Sequence, residues 1–96
     1  MPAYAIFIRD RITNEAELAR YNALVPATTA GHKFTPLAAY GANETWEGSP
    51  ADGAVILRFG DMDAARAWYN SPAYQAAKVH RLKGAEYRVI LTEGLG

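Results

Sequence analysis

The stretch Asp61-Met62-Asp63-Ala64-Ala65-Arg66-Ala67-Trp68-Tyr69-Asn70-Ser71-Pro72-Ala73-Tyr74 spells one short helix, its end and the start of a second. Asp61 offers a carboxylate to the free N–H groups of a first turn, and Asp63 adds favourable negative charge there. Asn70 tolerates the left-handed conformation that closes a helix. Ser71 can then cap a new helix with Pro72 at its first position, where a missing N–H costs nothing. Two helices are therefore expected to meet at a sharp corner. In the first, Ala65, Trp68 and Tyr69 share a face; in the second, Ala73, Ala76, Ala77 and His80 do so. The spacing predicts an aromatic wall beside a small-residue face that carries a histidine.

Around this corner the hydrophobic period alternates between the two kinds of element. Residues 3–11 alternate as a strand. Asn14 then caps a helix whose apolar stripe runs through Ala16, Leu18, Tyr21, Ala23, Leu24 and Val25 and which is broken or ends near Pro26. Gly31 releases the chain into a second strand from Lys33 to Tyr40, which Pro36 marks as an edge or bulged strand and which is expected to resume from Glu44 to Glu47. Gly48-Ser49-Pro50-Ala51-Asp52-Gly53 is turn chemistry throughout. A third strand covers Ala54 to Phe59, and a fourth, after Gly84, runs from Glu86 to about Thr92. The pattern predicts an α+β, ferredoxin-like βαββαβ fold in which an antiparallel four-stranded sheet carries its helices on one face.

Strand parity separates the two sheet faces. Tyr4, Ile6 and Ile8, with Val55, Leu57 and Phe59 and with Tyr87, Val89 and Leu91, form purely apolar sets suited to a helix-covered face. The opposite set holds Ala5, Phe7 and Arg9, then Ala54, Ile56 and Arg58, then Arg88, Ile90 and Thr92. It is too apolar for an ordinary solvated face, so a second copy of the chain is expected to cover it and form a homodimer packed sheet to sheet.

Composition excludes several classes. Ninety-six residues, half of them hydrophobic, suit one compact domain over residues 1–96. Ten basic and ten acidic side chains cancel, which disfavours nucleic acid and anionic membrane surfaces as partners. With no cysteine there is neither a disulfide framework nor a thiolate nucleophile, as suits a reducing compartment. The opening residues lack a basic n-region and their apolar run is short, so a soluble, cytoplasmic chain is expected. His32 and His80 are the only histidines and lack metal-ligand spacing, so no metal is expected. Neither a phosphate-binding glycine loop nor a nucleophile elbow is present, and no cofactor is expected.

Ala67-Trp68-Tyr69-Asn70-Ser71-Pro72-Ala73-Tyr74-Gln75, Arg81, Trp46-Glu47-Gly48 and Thr92-Glu93-Gly94 together resemble domain-of-unknown-function family 1330. The likeness runs from the first strand to Gly94, and the family resembles the dimeric α/β-barrel superfamily. It implies a ferredoxin-like monomer whose sheet pairs with that of a second subunit to form a barrel, and no established activity. The wider superfamily includes cofactor-independent monooxygenases, isomerases and haem-degrading enzymes. Gly31-His32-Lys33 departs from the double glycine that family members often show before the second strand.

Candidate chemistry centres on His80 and Arg81, a titratable base beside a permanent cation, the first able to shuttle a proton and the second to orient a carboxylate or enolate. The structural alternative has His80 capping a small-residue face and Arg81 paired with a carboxylate such as Glu47. Trp68, Tyr69 and Tyr74, with Tyr40 and Trp46, are candidates to line an aromatic pocket, although Trp68 is expected in the core. Arg9, Arg58 and Arg88 fall on the uncovered sheet face, where they could attract an anion at the barrel interior or mouth, although pairing with carboxylates across a subunit interface is the expected role. The function expected is binding of a small, partly apolar or anionic metabolite near Tyr69, Tyr74, His80 and Arg81, with any chemistry being cofactor-free acid–base work. A non-catalytic structural or interaction homodimer is the other reading.

Overall fold

The computed structural model describes residues 1–95. Its elements are β1 (Ala3–Ile12), α1 (Glu15–Leu24), a 3-10 turn (Val25–Thr29), β2 (Phe34–Ala39), β3 (Gly53–Phe59), α2 (Met62–Tyr69), α3 (Pro72–Gly84) and β4 (Ala85–Glu93). The strands form one antiparallel sheet in the order β2-β3-β1-β4. This is the ferredoxin-like βαββαβ arrangement. Among the described residues no helix is long and apolar enough to cross a membrane.

The α2–α3 corner forms where its caps demand. Asp61 accepts from the Ala64 N–H at 2.7 Å, and the Ser71 hydroxyl accepts from the Tyr74 N–H at 3.2 Å. Asn70 does not turn left-handed: its φ is −89° and its ψ 1°. The Ser71 hydroxyl and N–H both donate to the Trp68 carbonyl, at 2.7 and 3.1 Å, which closes α2 without a left-handed residue. The buried row of α3 is Tyr74, Ala77, Arg81 and Gly84, not the Ala73, Ala76, Ala77 and His80 face. Packing against α1 selects this row, because Gly84 has no side chain to hold the α1 backbone away. A Cβ there would stand 2.6 Å from the Leu18 nitrogen and 2.9 Å from its Cα. The Gly84 carbonyl also accepts from the N–H groups of Thr13 and Asn14, at 2.8 and 3.0 Å, where the chain enters α1.

The sheet corrects the parity assigned to β1. Register sets Ala5 opposite both Leu57 and Leu91, and Phe7 opposite Val55 and Val89, so Ala3, Ala5 and Phe7 lie on the helix-covered face. Both parities of β1 are apolar, and packing decides between them. Small alanines let α2 approach, while Phe7 meets Trp68 edge-on with ring centroids 6.2 Å apart. Tyr4, Ile6 and Ile8 therefore join Ala54, Ile56, Arg58, Arg88, Ile90 and Thr92 on the open face. There Ile56, Ile6 and Ile90 stand side by side across three strands. Arg9 moves to the helix-covered side and Arg88 pairs with Asp10 at 3.0 Å.

Strand β2 lies at the sheet edge with an irregularity between Pro36 and Ala38, as proline requires. Pairing does not resume from Glu44 to Glu47. Tyr40, with φ 58°, turns the chain out of the sheet, and the Thr45 hydroxyl then accepts from the Ala51 N–H at 2.9 Å inside the loop.

Replacing Gly84 by Ala is expected to destabilise the fold by about 1–3 kcal/mol, because Leu18 meets the new methyl group with backbone atoms that have little room to retreat. Chemical denaturation of the variant measures this.

Candidate functional site

Trp68 is locked in the gap between sheet and helices. Its indole N–H donates to the Thr28 hydroxyl at 3.1 Å, which donates to the Val25 carbonyl at 2.7 Å. Its ring packs against Tyr74, Phe34 and Phe59 with centroids 4.2, 5.3 and 5.6 Å away. A cavity of ≈ 300 Å³ opens on one side of the indole, with Phe7, Val55 and Leu57 of the sheet on one wall and Val25, Pro26 and Tyr21 on the other. Tyr40 stands among its lining residues. A second, ≈ 260 Å³ cavity lies beyond Trp68, between α2 and β4, and is bordered by Ala5, Ala65, Tyr69 and Leu91.

Arg81 is the electrostatic anomaly. It is only 3 % exposed, and its Nε has no hydrogen-bond acceptor. Among the described residues no carboxylate, Glu47 included, pairs with it. Its guanidinium instead lies 5.1 Å from the Tyr87 ring centroid and 5.7 Å from that of Phe7. Ring quadrupoles return part of the hydration that burial removes, but they carry no formal negative charge.

Two tyrosine pairs adjoin this cation. The Tyr21 and Tyr74 hydroxyls are 2.9 Å apart, and those of Tyr40 and Tyr87 are 2.5 Å apart. Burial pushes the phenols of Tyr21, Tyr40 and Tyr74 up from their ordinary pKa, and the nearby Arg81 charge only partly opposes the rise for Tyr21 and Tyr74. All three stay protonated near neutrality, so they can donate. Arg9 sits with its guanidinium 4.4 Å from the Tyr40 centroid, but Asp52 neutralises it through bonds of 2.8 and 3.0 Å. Gly53 is required beside this group, because a Cβ there would come within 2.6 Å of the Tyr40 ring.

Of the site residues expected from the sequence, Tyr40 lines the first cavity, while Tyr74 and Arg81 pack together next to it without lining it, Arg81 reaching Tyr40 through the ring of Tyr87. Tyr69 lines the second cavity, and Trp46 is 88 % exposed on the β2–β3 loop. His80 is held at the α1–α3 contact, its Nδ1 2.6 Å from the Glu17 carboxylate. Adjacent residues on a helix diverge by about 100°, so Arg81 turns inward while His80 faces α1. Sequence reasoning did not single out Tyr21 and Tyr87 as site residues. Placing Tyr87 needs the register that sets it opposite Arg9, and placing Tyr21 needs the α1–α3 contact.

The profile of the family described as "Domain of unknown function (DUF1330)" matches residues 2–95. The chain belongs to this family. No curated protein matches the sequence. Among solved structures, a protein of unknown function from Rhodopseudomonas palustris is 16 % identical with a TM-score of 0.74, the match covering 99 % of this chain and 83 % of that one. A dimeric ferredoxin-like protein of unknown function from Thermobifida fusca is 15 % identical, with a TM-score of 0.66 and coverage of 98 % and 92 %. SnoaB from Streptomyces nogalater, a cofactor-independent oxygenase, is 14 % identical, with a TM-score of 0.62 and coverage of 99 % and 93 %. At such identities the likeness is one of fold, and it assigns no reaction to this DUF1330 chain.

The Glu17–His80 contact predicts a pH dependence. The hydrogen bond from His80 holds the Glu17 carboxyl below its ordinary 4.5. A folded pKa below the unfolded one gives stability that is present above about pH 4.5 and lost as pH falls through the lower, folded value. Melting curves between pH 3 and 7 should therefore show the advantage of the native chain over Glu17→Gln shrinking in acid and reaching its plateau near neutrality.

Proposed function

We propose that this chain is a small-molecule-binding protein that takes a largely apolar, anionic metabolite into the cavity beside Trp68, with Arg81 supplying the counter-charge. The observation that carries this reading is the buried guanidinium without a carboxylate. An uncompensated internal cation costs several kcal/mol, and an anion bound within reach offsets that cost in the bound state alone. The apolar walls suit the rest of such a ligand.

The working assembly in this proposal is a homodimer joined through the open sheet face. The row Ile56, Ile6 and Ile90 supports it, Ile90 being 56 % exposed in the single chain, as do fold relatives that are dimeric ferredoxin-like proteins. Arg58 and Arg88 flank that row on either side.

Arg81→Met keeps much of the side-chain volume and removes the charge. The ligand-free variant should be more stable than the native chain by about 1 kcal/mol or more. It should also lose the thermal stabilisation that a panel of aliphatic and aromatic carboxylates gives the native protein. A panel that stabilises both proteins equally, or neither, would count against anion binding. For the dimer, Ile6→Asp should sediment as a folded monomer at micromolar concentration where the native chain sediments as a dimer; a native monomer refutes the assembly.

A further inference from the structure

A count of hydrogen-bond donors narrows the ligand. In the Tyr21–Tyr74 and Tyr40–Tyr87 pairs one hydroxyl proton makes the bond between the two phenols, and the proton of the accepting phenol is left over. Among the described residues these hydroxyls make no other hydrogen bond within geometric limits, and the charged groups that approach them only donate: Arg9 toward Tyr87 and Arg81 toward Tyr74. When Tyr74 donates to Tyr21 and Tyr87 to Tyr40, the surplus protons sit on Tyr21 and Tyr40, which line the cavity; Arg81 is not itself a lining residue but lies against Phe7, which is, and its Nε has no acceptor. Of the two guanidinium groups beside these tyrosines, Asp52 cancels Arg9, while among the described residues no carboxylate pairs with Arg81.

We infer that the cavity is a site for a planar aromatic monocarboxylate, whose carboxylate takes the surplus protons of the Tyr21–Tyr74 and Tyr40–Tyr87 pairs beside Arg81 while its ring lies among Phe7, Phe34 and Trp68. This rests on the anion-binding reading above and adds the ligand's charge, its shape and the tyrosines as its donors. A carboxylate has the two planar acceptor oxygens that converging phenol and guanidinium donors can serve. A dianion such as a phosphonate would bring a second negative charge beside Arg81, where the other nearby guanidinium, Arg9, is already paired with Asp52. Tyr40 supports a built site in backbone terms also. It holds φ 58° without being glycine, its N–H donates to the Ala54 carbonyl at 2.9 Å, and Gly53 makes room for its ring.

The test is calorimetric titration of the full chain with 2-naphthoate, using 2-naphthamide, naphthylphosphonate and hexanoate as comparators. The expected result is 2-naphthoate binding at least tenfold tighter than any comparator. Tyr21→Phe and Tyr40→Phe, which keep the rings, should each weaken 2-naphthoate about tenfold and leave 2-naphthamide unchanged, since each removes a hydrogen bond to a charged acceptor. Unchanged 2-naphthamide binding and thermal unfolding show that the variants retain the cavity. If 2-naphthoate binding depends on Arg81 but survives both tyrosine variants, the tyrosine assignment is overturned and the anion-binding reading stands. Hexanoate or the phosphonate binding as tightly as 2-naphthoate overturns the choice of ligand class alone. No carboxylate binding up to about 10 mM, or binding indifferent to Arg81→Met, overturns both.

Discussion

The indole of Trp68 organises this fold. Projecting from α2 between the sheet and α3, it touches aromatic rings from β1, β2, β3 and α3, and its N–H ties it to the 3-10 turn. A large flat ring fixed in a small core cannot be packed equally on every side, and both cavities have Trp68 in their walls. The corner Asn70-Ser71-Pro72 matters because it returns α3 over the same ring and brings Tyr74 to 4.2 Å from it. From there the row of α3 one turn apart delivers Ala77, Arg81 and Gly84 to the interior.

Arg81 is buried by that geometry, not by local sequence preference. Gly84 sets how closely α1 and α3 approach, and Tyr21 of α1 then meets Tyr74 beside the guanidinium. A cation so enclosed is usually met by a carboxylate. Here it is met by tyrosine and phenylalanine, which hold it in place and leave its charge available. Asp52, the carboxylate at this end of β1, is already committed to Arg9, and that pair in turn fixes the ring of Tyr40.

Much of the fold was legible in the residues. Asp61, Ser71 and Asn14 cap as their chemistry predicts, Pro36 marks an edge strand, and the apolar alternation of β3 and β4 names the covered face correctly. The exchange of faces in β1 was not legible, because Tyr4, Ile6 and Ile8 and Ala3, Ala5 and Phe7 are both apolar sets; the choice depends on how near α2 comes. The site was legible only as a set of residue types. Tyr40 and Tyr87 are far apart in sequence and meet through register. His80 and Arg81 are neighbours in sequence yet diverge, because a helix sends consecutive side chains to different surroundings.

Stability and binding are coupled in such a chain. A domain of this size buries a modest fraction of its apolar surface, and an internal uncompensated charge subtracts from a margin that is already small. Two events can restore it in the proposed picture: an anion beside Arg81, which acts on the folded state alone, and a second sheet against the isoleucine row, which acts by mass action. They meet the same sheet on opposite faces, separated by the thickness of β1, where Phe7 points to the cavity and its neighbours Ile6 and Ile8 to the open face. Because side chains alternate along a strand, any shift of β1 that improves packing of one set moves the other. In the proposed picture, dimer formation and cavity shape are therefore linked through a single strand. A ligand that tightens the packing of Phe7 is expected to change the dimer's affinity by the same factor that dimerisation changes its own.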